Sequence, residues 1–172
     1  KYTYVGNFDA SPENQAKASA WYNEGTEVIF GCGGAVGNSV MKAAETAGAK
    51  SIGVDVDQSE ESTTVVTSAM KNLSKSVYDA LADYYAGNFP GGKSVSLDAS
   101  QEGVELPMET SRFEKFTQAD YDAIYDKIVS KDVEILNDAM VKEKFAQETG
   151  KPAEEASAAD IPVEKVKVEV IK

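Results

Sequence analysis

The chain has 172 residues, 42% of them apolar, which suits one ordinary globular domain or one lobe with appendages. Its 29 acidic and 17 basic residues give a formal charge of -12, which argues against a nucleic-acid partner, since such binding rests on Lys and Arg neutralising phosphates. Histidine is absent and Cys32 is the single cysteine, which excludes His-based triads, an intrachain disulfide and a cysteine zinc site, and makes an enzyme the weaker expectation.

The opening, "KYTYVGNFDA", lacks Met and an apolar signal-peptide core, and reads as a cut, either a processed product or a fragment of something longer. No apolar run reaches the roughly eighteen residues that a spanning helix needs. Tyr2–Val5 is expected to form a short strand of aromatic and β-branched residues, closed by Gly6-Asn7. Ser11 as N-cap and Pro12 at the first helical position start a helix that ends at Gly25, with Ala16, Ala20 and Trp21 facing inward. Thr26–Phe30 is nearly all apolar, the pattern of a strand buried on both faces of a parallel sheet. "GCGGAVG" (Gly31–Gly37) is then a glycine-rich turn into a helix that closes at Gly48.

"SIGVDVDQ" (Ser51–Gln58) predicts a third strand with two carboxylates at its far end. The spacing of Met70, Leu73, Val77, Leu81 and Tyr84 predicts one long helix over Thr67–Ala86, with Lys71 early in it. Strand and helix alternate to this point, the grammar of parallel βαβ units. Beyond Gly87 the pattern changes. "NFPGGK" is a turn cluster, and "SVSLDA" is an alternating strand. Thr117 and Asp120 form a capping-box pair that opens a helix to about Ser130. "KDVEIL" reads as another short strand, and Lys142–Asp160 as a mobile or weakly helical arm. Val166, Val168 and Val170 alternate like a half-buried edge strand.

In an open parallel sheet, ligands bind beyond the carboxyl ends of the strands. Three such ends are marked here, at Asn7-Phe8-Asp9, Gly31–Gly37 and Asp55-Val56-Asp57. The Rossmann fingerprint fails because Val36 stands where its last glycine belongs, and the Walker pattern fails for want of Gly-Lys-Ser/Thr. Phe8, in a polar turn beyond a strand, suits a stacking platform. Asp55 is placed to accept two hydrogen bonds from vicinal hydroxyls, and Lys71 to keep it ionised or to donate to a sugar or base. An aromatic face, a glycine wall, a carboxylate and a lysine suit a neutral, planar, ribose-bearing ligand. Each residue also has a scaffold reading: Phe8 as an edge core residue, Asp55 as a helix N-cap, Lys71 as a surface charge. Asp57 and Gln58 are assigned to turn chemistry.

The stretch from "YVGNFDASPENQ" through "FGCGGAVGNSV" and "IGVDVDQ" to "TSAMKNLSKSVYDAL" resembles the basic membrane lipoprotein family, whose best-understood branch comprises purine-nucleoside receptors of bacterial ABC importers. The resemblance covers about Tyr2 to Leu106 and rests on four motifs in combination: the "GxF" turn, the "GG-x-x-G" loop, "IGVDxDQ" and "TSxxK". It implies an α/β, type I periplasmic-binding-protein-like lobe, a parallel sheet flanked by helices, as a fragment of a two-lobe receptor. It also implies that Phe8 stacks on the base, Gly33 and Gly34 line the pocket, Asp55 holds ribose hydroxyls and Lys71 contacts the ligand.

On that basis residues 1–87 are a second ligand-binding lobe. Residues 88–136 are a hinge crossover with part of the other lobe or a return segment, and 137–172 are a C-terminal arm with an edge strand. The implied partners are a nucleoside, an ABC permease and a missing N-terminal lobe, with a dimer as a further possibility. The receptor would sit on the extracytoplasmic face of a Gram-positive membrane, anchored by a lipid on a missing N-terminal cysteine. No cofactor, metal or catalytic residue is expected. Two other classes stay open: a nucleotide-dependent oxidoreductase or transferase using the glycine turn with Asp55 or Asp57 as acid/base, and a flavodoxin-like signalling domain with Mg²⁺ at the acids around Asp55.

Overall fold

The structure, a computed structural model, describes residues 1–156 and 171. The chain divides into a larger unit, Asn7–Asp132, and a smaller one made of Lys1–Gly6 and Val133–Lys172.

The larger unit is built on four strands in the order β1-β2-β3-β4: β1 (Val28–Phe30), β2 (Lys50–Asp55), β3 (Val65–Lys71) and β4 (Val104–Glu105). The first three run parallel and β4 pairs antiparallel to β3. Helix α1 (Pro12–Asn23) starts as its sequence requires, with Ser11 accepting from the Asn14 N–H and Pro12 in the first turn. Helix α2 (Val36–Ala47) ends on Gly48 in the left-handed conformation. The two helices pack together and onto the sheet through Ala18, Tyr22, Ile29, Val40, Ala43 and Ala44. Burial and close packing of these apolar groups drive the assembly. The inward face of α1 is Asn14, Ala18 and Tyr22, at helical spacing, rather than Ala16 and Ala20. Trp21 lies partly buried against the same cluster. Tyr22 donates its hydroxyl to the Lys50 carbonyl oxygen at 2.8 Å, tying α1 to the start of β2.

Several expectations are corrected. β1 is not buried on both faces: Ile29 packs under the helices, but Val28 and Phe30, 41% and 47% exposed, alternate onto the opposite face of the sheet. The long helix over Thr67–Ala86 is two elements. Its first part is β3, and α3 (Leu73–Tyr85) starts after Asn72, whose side chain accepts from the Lys75 N–H. "SVSLDA" forms no strand. It leads into a single 3-10 turn, Ala99–Gln101, capped by Asp98. The capping box of Thr117 and Asp120 does open α4 (Gln118–Val129).

β2 and β3 contain an irregularity. Ser51 faces Val65 but Ile52 faces Thr67, so Val66 is the extra residue. Its freed carbonyl oxygen accepts from the Arg112 N–H at 2.6 Å. The Arg112 guanidinium donates to the carbonyl oxygens of Val65 at 2.8 Å and Ser59 at 3.0 Å. One arginine thus satisfies the carbonyls that the bulge and the β2–β3 loop leave unpaired.

In the smaller unit, Tyr2–Val5 forms only an isolated bridge at Tyr2, whose carbonyl oxygen accepts from the Ile171 N–H at 2.7 Å. "KDVEIL" is irregular too, and regular structure begins with α5 (Asp138–Thr149), capped by Asn137. The arm expected from Lys142 is therefore a capped helix to Thr149. The strand expected at Val166, Val168 and Val170 lies outside the described residues.

Candidate ligand-binding site

Because β1, β2 and β3 are parallel, their carboxyl ends share one rim of the sheet. The glycine loop leaves that rim from β1, Asp55 is the last residue of β2 and Lys71 the last of β3. Lys71 is therefore a strand-end residue rather than a helical one, a correction that brings it directly beside Asp55.

Asp55 adopts φ 69°, a left-handed conformation that is costly for most residues and best tolerated by Gly, Asn and Asp. Strain of this kind persists where surrounding structure holds the residue in place. What holds it here is Gln58. Its buried Oε1 accepts from the Val54 N–H at 2.8 Å, and its own N–H donates to Ser68 Oγ at 3.0 Å. Gly53 leaves room for this clasp, since a Cβ there would lie 2.5 Å from Ser68 Oγ and 2.8 Å from Gln58 Oε1. Asp57 completes the turn, accepting from the Ser59 N–H at 3.0 Å and from Thr110 Oγ1 at 2.6 Å. Burial pushes the Asp57 carboxyl upward, but hydrogen bonds from Thr110 and Ser59 outweigh that and hold it below its ordinary range.

Asp55 Oδ1 is shielded from solvent and lies 2.6 Å from Lys71 Nζ. The hydrogen bond and the charge of Asp55 hold the Lys71 ammonium above its ordinary pKa, with a smaller contribution from Cys32 in the glycine loop. The Lys71 side chain thus stays charged at neutral pH. With side chains 39% and 63% exposed, the Asp55–Lys71 pair can exchange its water for a ligand's hydroxyls.

Phe8 stands apart from the core, 75% exposed. Gly34 sits beneath it: a Cβ on Gly34 would meet the Phe8 Cβ and Cδ1 at 3.7 Å, and its φ of 56° favours glycine independently. Gly33 is the neighbouring wall residue, its N–H bonded to the Gly31 carbonyl at 3.0 Å. The structure therefore joins the candidate residues in two contacts, Phe8 over Gly34 and Asp55 with Lys71. Both belong to the larger unit.

Gln58 and Ser68, which brace the backbone before and after Asp55, and Arg112, which ties down the β2–β3 loop, are not apparent as a set in the sequence. The glycine at 53, one residue before a valine in a buried strand, is the only local signal for a close approach there. Among the described residues no cluster of three or more His, Cys, Asp or Glu could hold a metal ion. None of the helices searched there is long and apolar enough to cross a membrane.

The larger unit thus carries an ion pair and a glycine loop at the ends of parallel strands, with an exposed aromatic against that loop, and it is at such strand ends that open α/β sheets hold their ligands. The comparisons give the family. Residues 1–170 match the one described as ABC transporter substrate-binding protein PnrA-like, and the chain belongs to it. Substrate-binding proteins of ABC systems are extracytoplasmic and work with permease components.

Among solved structures, the chain is similar to a solute-binding protein of an ABC transporter system from Aeropyrum pernix, with TM-score 0.63 and 22% identity, covering 84% of this chain and 50% of that one. A second solute-binding protein, from Conexibacter woesei, matches with TM-score 0.58 and 21% identity, over 80% of this chain and 46% of that one. A transcriptional activator of the comK gene from Bacillus halodurans matches with TM-score 0.59 and 17% identity, over 86% and 46%. These likenesses concern the fold, and the chain spans about half the length of each. No curated protein matches the sequence.

Proposed function

We propose that this chain is the second lobe of a two-lobe nucleoside receptor serving a bacterial ABC importer, with a purine nucleoside as the solute. Phe8 stacks on the base, Gly33 and Gly34 let the backbone approach it, Asp55 accepts from the ribose 2′ and 3′ hydroxyls, and Lys71 pairs with Asp55 while donating to the ligand. The observation that carries this reading is Asp55 at the end of β2. It is held at φ 69° with its Oδ1 2.6 Å from Lys71 Nζ, on the rim of the sheet from which the glycine loop also leaves. A carboxylate held in a strained backbone position at a strand end is suited to binding, and nothing in the core requires it there. The ligand is bound and released unchanged, because the rim offers no set of acid, base and nucleophile.

The uncovered face of α3 supports a partner lobe. Leu73, Val77, Leu81 and Tyr84 form an apolar stripe along that helix, and none of its residues is buried. A helix of that length gains little from propensity alone and depends on packing such a stripe. This chain covers only 50% and 46% of the two solute-binding proteins it resembles in fold. The other lobe would cover the stripe and supply the second wall of the cleft. The receptor would lie outside the cytoplasmic membrane of a Gram-positive cell, held by a lipid on a cysteine of that lobe, with a permease of the same importer as its docking partner.

Mass spectrometry of the small molecule released when the natively purified receptor is denatured tests the reading. A purine nucleoside is expected. NAD or a flavin would point instead to a nucleotide-dependent enzyme, and a stoichiometric divalent metal to a signalling domain.

A further inference from the structure

Phe8 raises a physical problem. A phenyl ring that is 75% exposed has almost no packing of its own to hold it, yet a stacking platform works only if it is already in place. Whatever fixes the ring must act through the backbone on either side.

Asn14, 3% exposed in the first turn of α1, does so. Its Nδ2 donates to Asn7 Oδ1 at 2.9 Å and to the Asp9 carbonyl oxygen at 2.9 Å, the residues immediately before and after Phe8. The Asp9 N–H donates to the same Asn7 Oδ1 at 3.1 Å, closing the turn around the phenylalanine. The carboxamide orientation is fixed by chemistry, because the Asp9 carbonyl can only accept and Asn7 Oδ1 already accepts from Asp9. Asn14 is itself anchored, its N–H donating to the Ser11 cap at 3.1 Å. Ser11 in turn is held to α2, its N–H donating to Ser39 Oγ at 2.9 Å while Ser39 Oγ donates to the Ser11 carbonyl oxygen at 3.2 Å. A continuous polar path thus runs from the helix that follows the glycine loop, through Ser39, Ser11 and Asn14, to both flanks of Phe8.

Asn14 Oδ1 is buried without a hydrogen-bond partner. An apolar residue would fill that space without leaving a polar atom unsatisfied, so the two donated bonds are what the carboxamide contributes.

We infer that Asn14 is a positioning residue for the ligand site: its buried carboxamide spans the Phe8 turn and holds the ring over Gly34, ready to stack. The inference rests on the proposed role of Phe8, and its test separates the two.

Asn14→Asp keeps the shape and places an acid in the first turn, where the helix dipole favours it, but presents acceptors to two acceptors. Asn7→Ala, at an exposed turn position, removes one of the two Asn14 bonds together with the Asp9 N–H bond to Asn7 Oδ1, and keeps the Asn14 bond to the Asp9 carbonyl without touching the helix. In NMR spectra of the full chain, the nuclear Overhauser contact between the Phe8 ring and the Gly34 α-protons should be strong in wild type, weaker in Asn7→Ala and absent in Asn14→Asp. In the two-lobe receptor, adenosine or guanosine affinity should fall about three- to tenfold in Asn14→Asp, the scale of freeing one ordered side chain. In a Phe8→Ala background the same change should cost nothing further. An unchanged ring contact in both variants, or an equal affinity loss with and without Phe8, overturns the inference. If wild type binds no nucleoside while the ring contact still depends on Asn14, the positioning stands and the nucleoside reading fails.

Discussion

At Asp55, backbone strain and ligand chemistry can be separated by the choice of replacement. Glycine accepts φ 69° freely, so Asp55→Gly should leave stability unchanged or raise it by about 0.5–1 kcal/mol, whereas Asp55→Ala should lower it by about 1 kcal/mol. Denaturant melts check the ordering. An equal loss in both would mean that the carboxylate itself holds the turn, the N-cap role that the sequence alone also allowed. Tyr22 gives a second residue-scale test. Burial pushes its hydroxyl up to about 12 from an ordinary value of 10.0. The folded state therefore favours the protonated form. That stability is complete below pH 10 and is lost as pH climbs through 12, by about 2–3 kcal/mol over the full range. Tyr22→Phe should cost about 1 kcal/mol at neutral pH by removing the bond to Lys50, and should abolish this alkaline component. Melts at pH 8, 10 and 11.5 on both proteins would read it.

At the scale of elements, legibility followed local chemistry. α1 and α4 carry their own start signals, Ser11-Pro12 and the Thr117–Asp120 box, and both begin where those residues place them. β3 was misread because Met70 happens to extend the apolar spacing of α3 backward, while the decisive residue, Asn72, is a cap inside an otherwise uninterrupted apolar rhythm. The Gln58 turn after Asp55 depends on Ser68 and the β2–β3 loop on Arg112, both distant in sequence, and no local pattern announces such partners. The end of β2 at Asp55 and the glycine-rich turn into α2 were legible because both are local features, whereas the strand expected before Phe8 is only an isolated bridge at Tyr2. The Arg112 clasp should be costly to remove: Arg112→Ala leaves two buried carbonyls without their charged donor and should destabilise the larger unit by about 2–4 kcal/mol in chemical melts. The face of α3 should behave in the opposite way. Leu81→Glu is exposed in this chain and should cost it under about 0.5 kcal/mol, but should cost a two-lobe receptor about 2–3 kcal/mol if the other lobe covers the stripe. An equally small effect in both would leave α3 a solvent-facing helix.

At the scale of the whole molecule, this is an acidic chain of the PnrA-like substrate-binding family that spans about half the length of its solved neighbours, and on the reading proposed it supplies one wall of a binding site. One wall leaves a small ligand largely in water, so tight binding belongs to the closed, two-lobe protein. The central claim is that Asp55 and Phe8 hold a nucleoside there. Isothermal titration of the two-lobe receptor with adenosine, guanosine, inosine and uridine, in wild type and in Asp55→Asn, tests it most directly. Asparagine tolerates the same left-handed backbone, so folding is preserved while the charged acceptor is lost. The account predicts that purine nucleosides bind wild type and that Asp55→Asn weakens them by about a hundredfold, in line with losing a charged hydrogen-bond partner in a closed cleft. Nucleoside affinity that is absent in a folded wild type, or unchanged in Asp55→Asn, would contradict it.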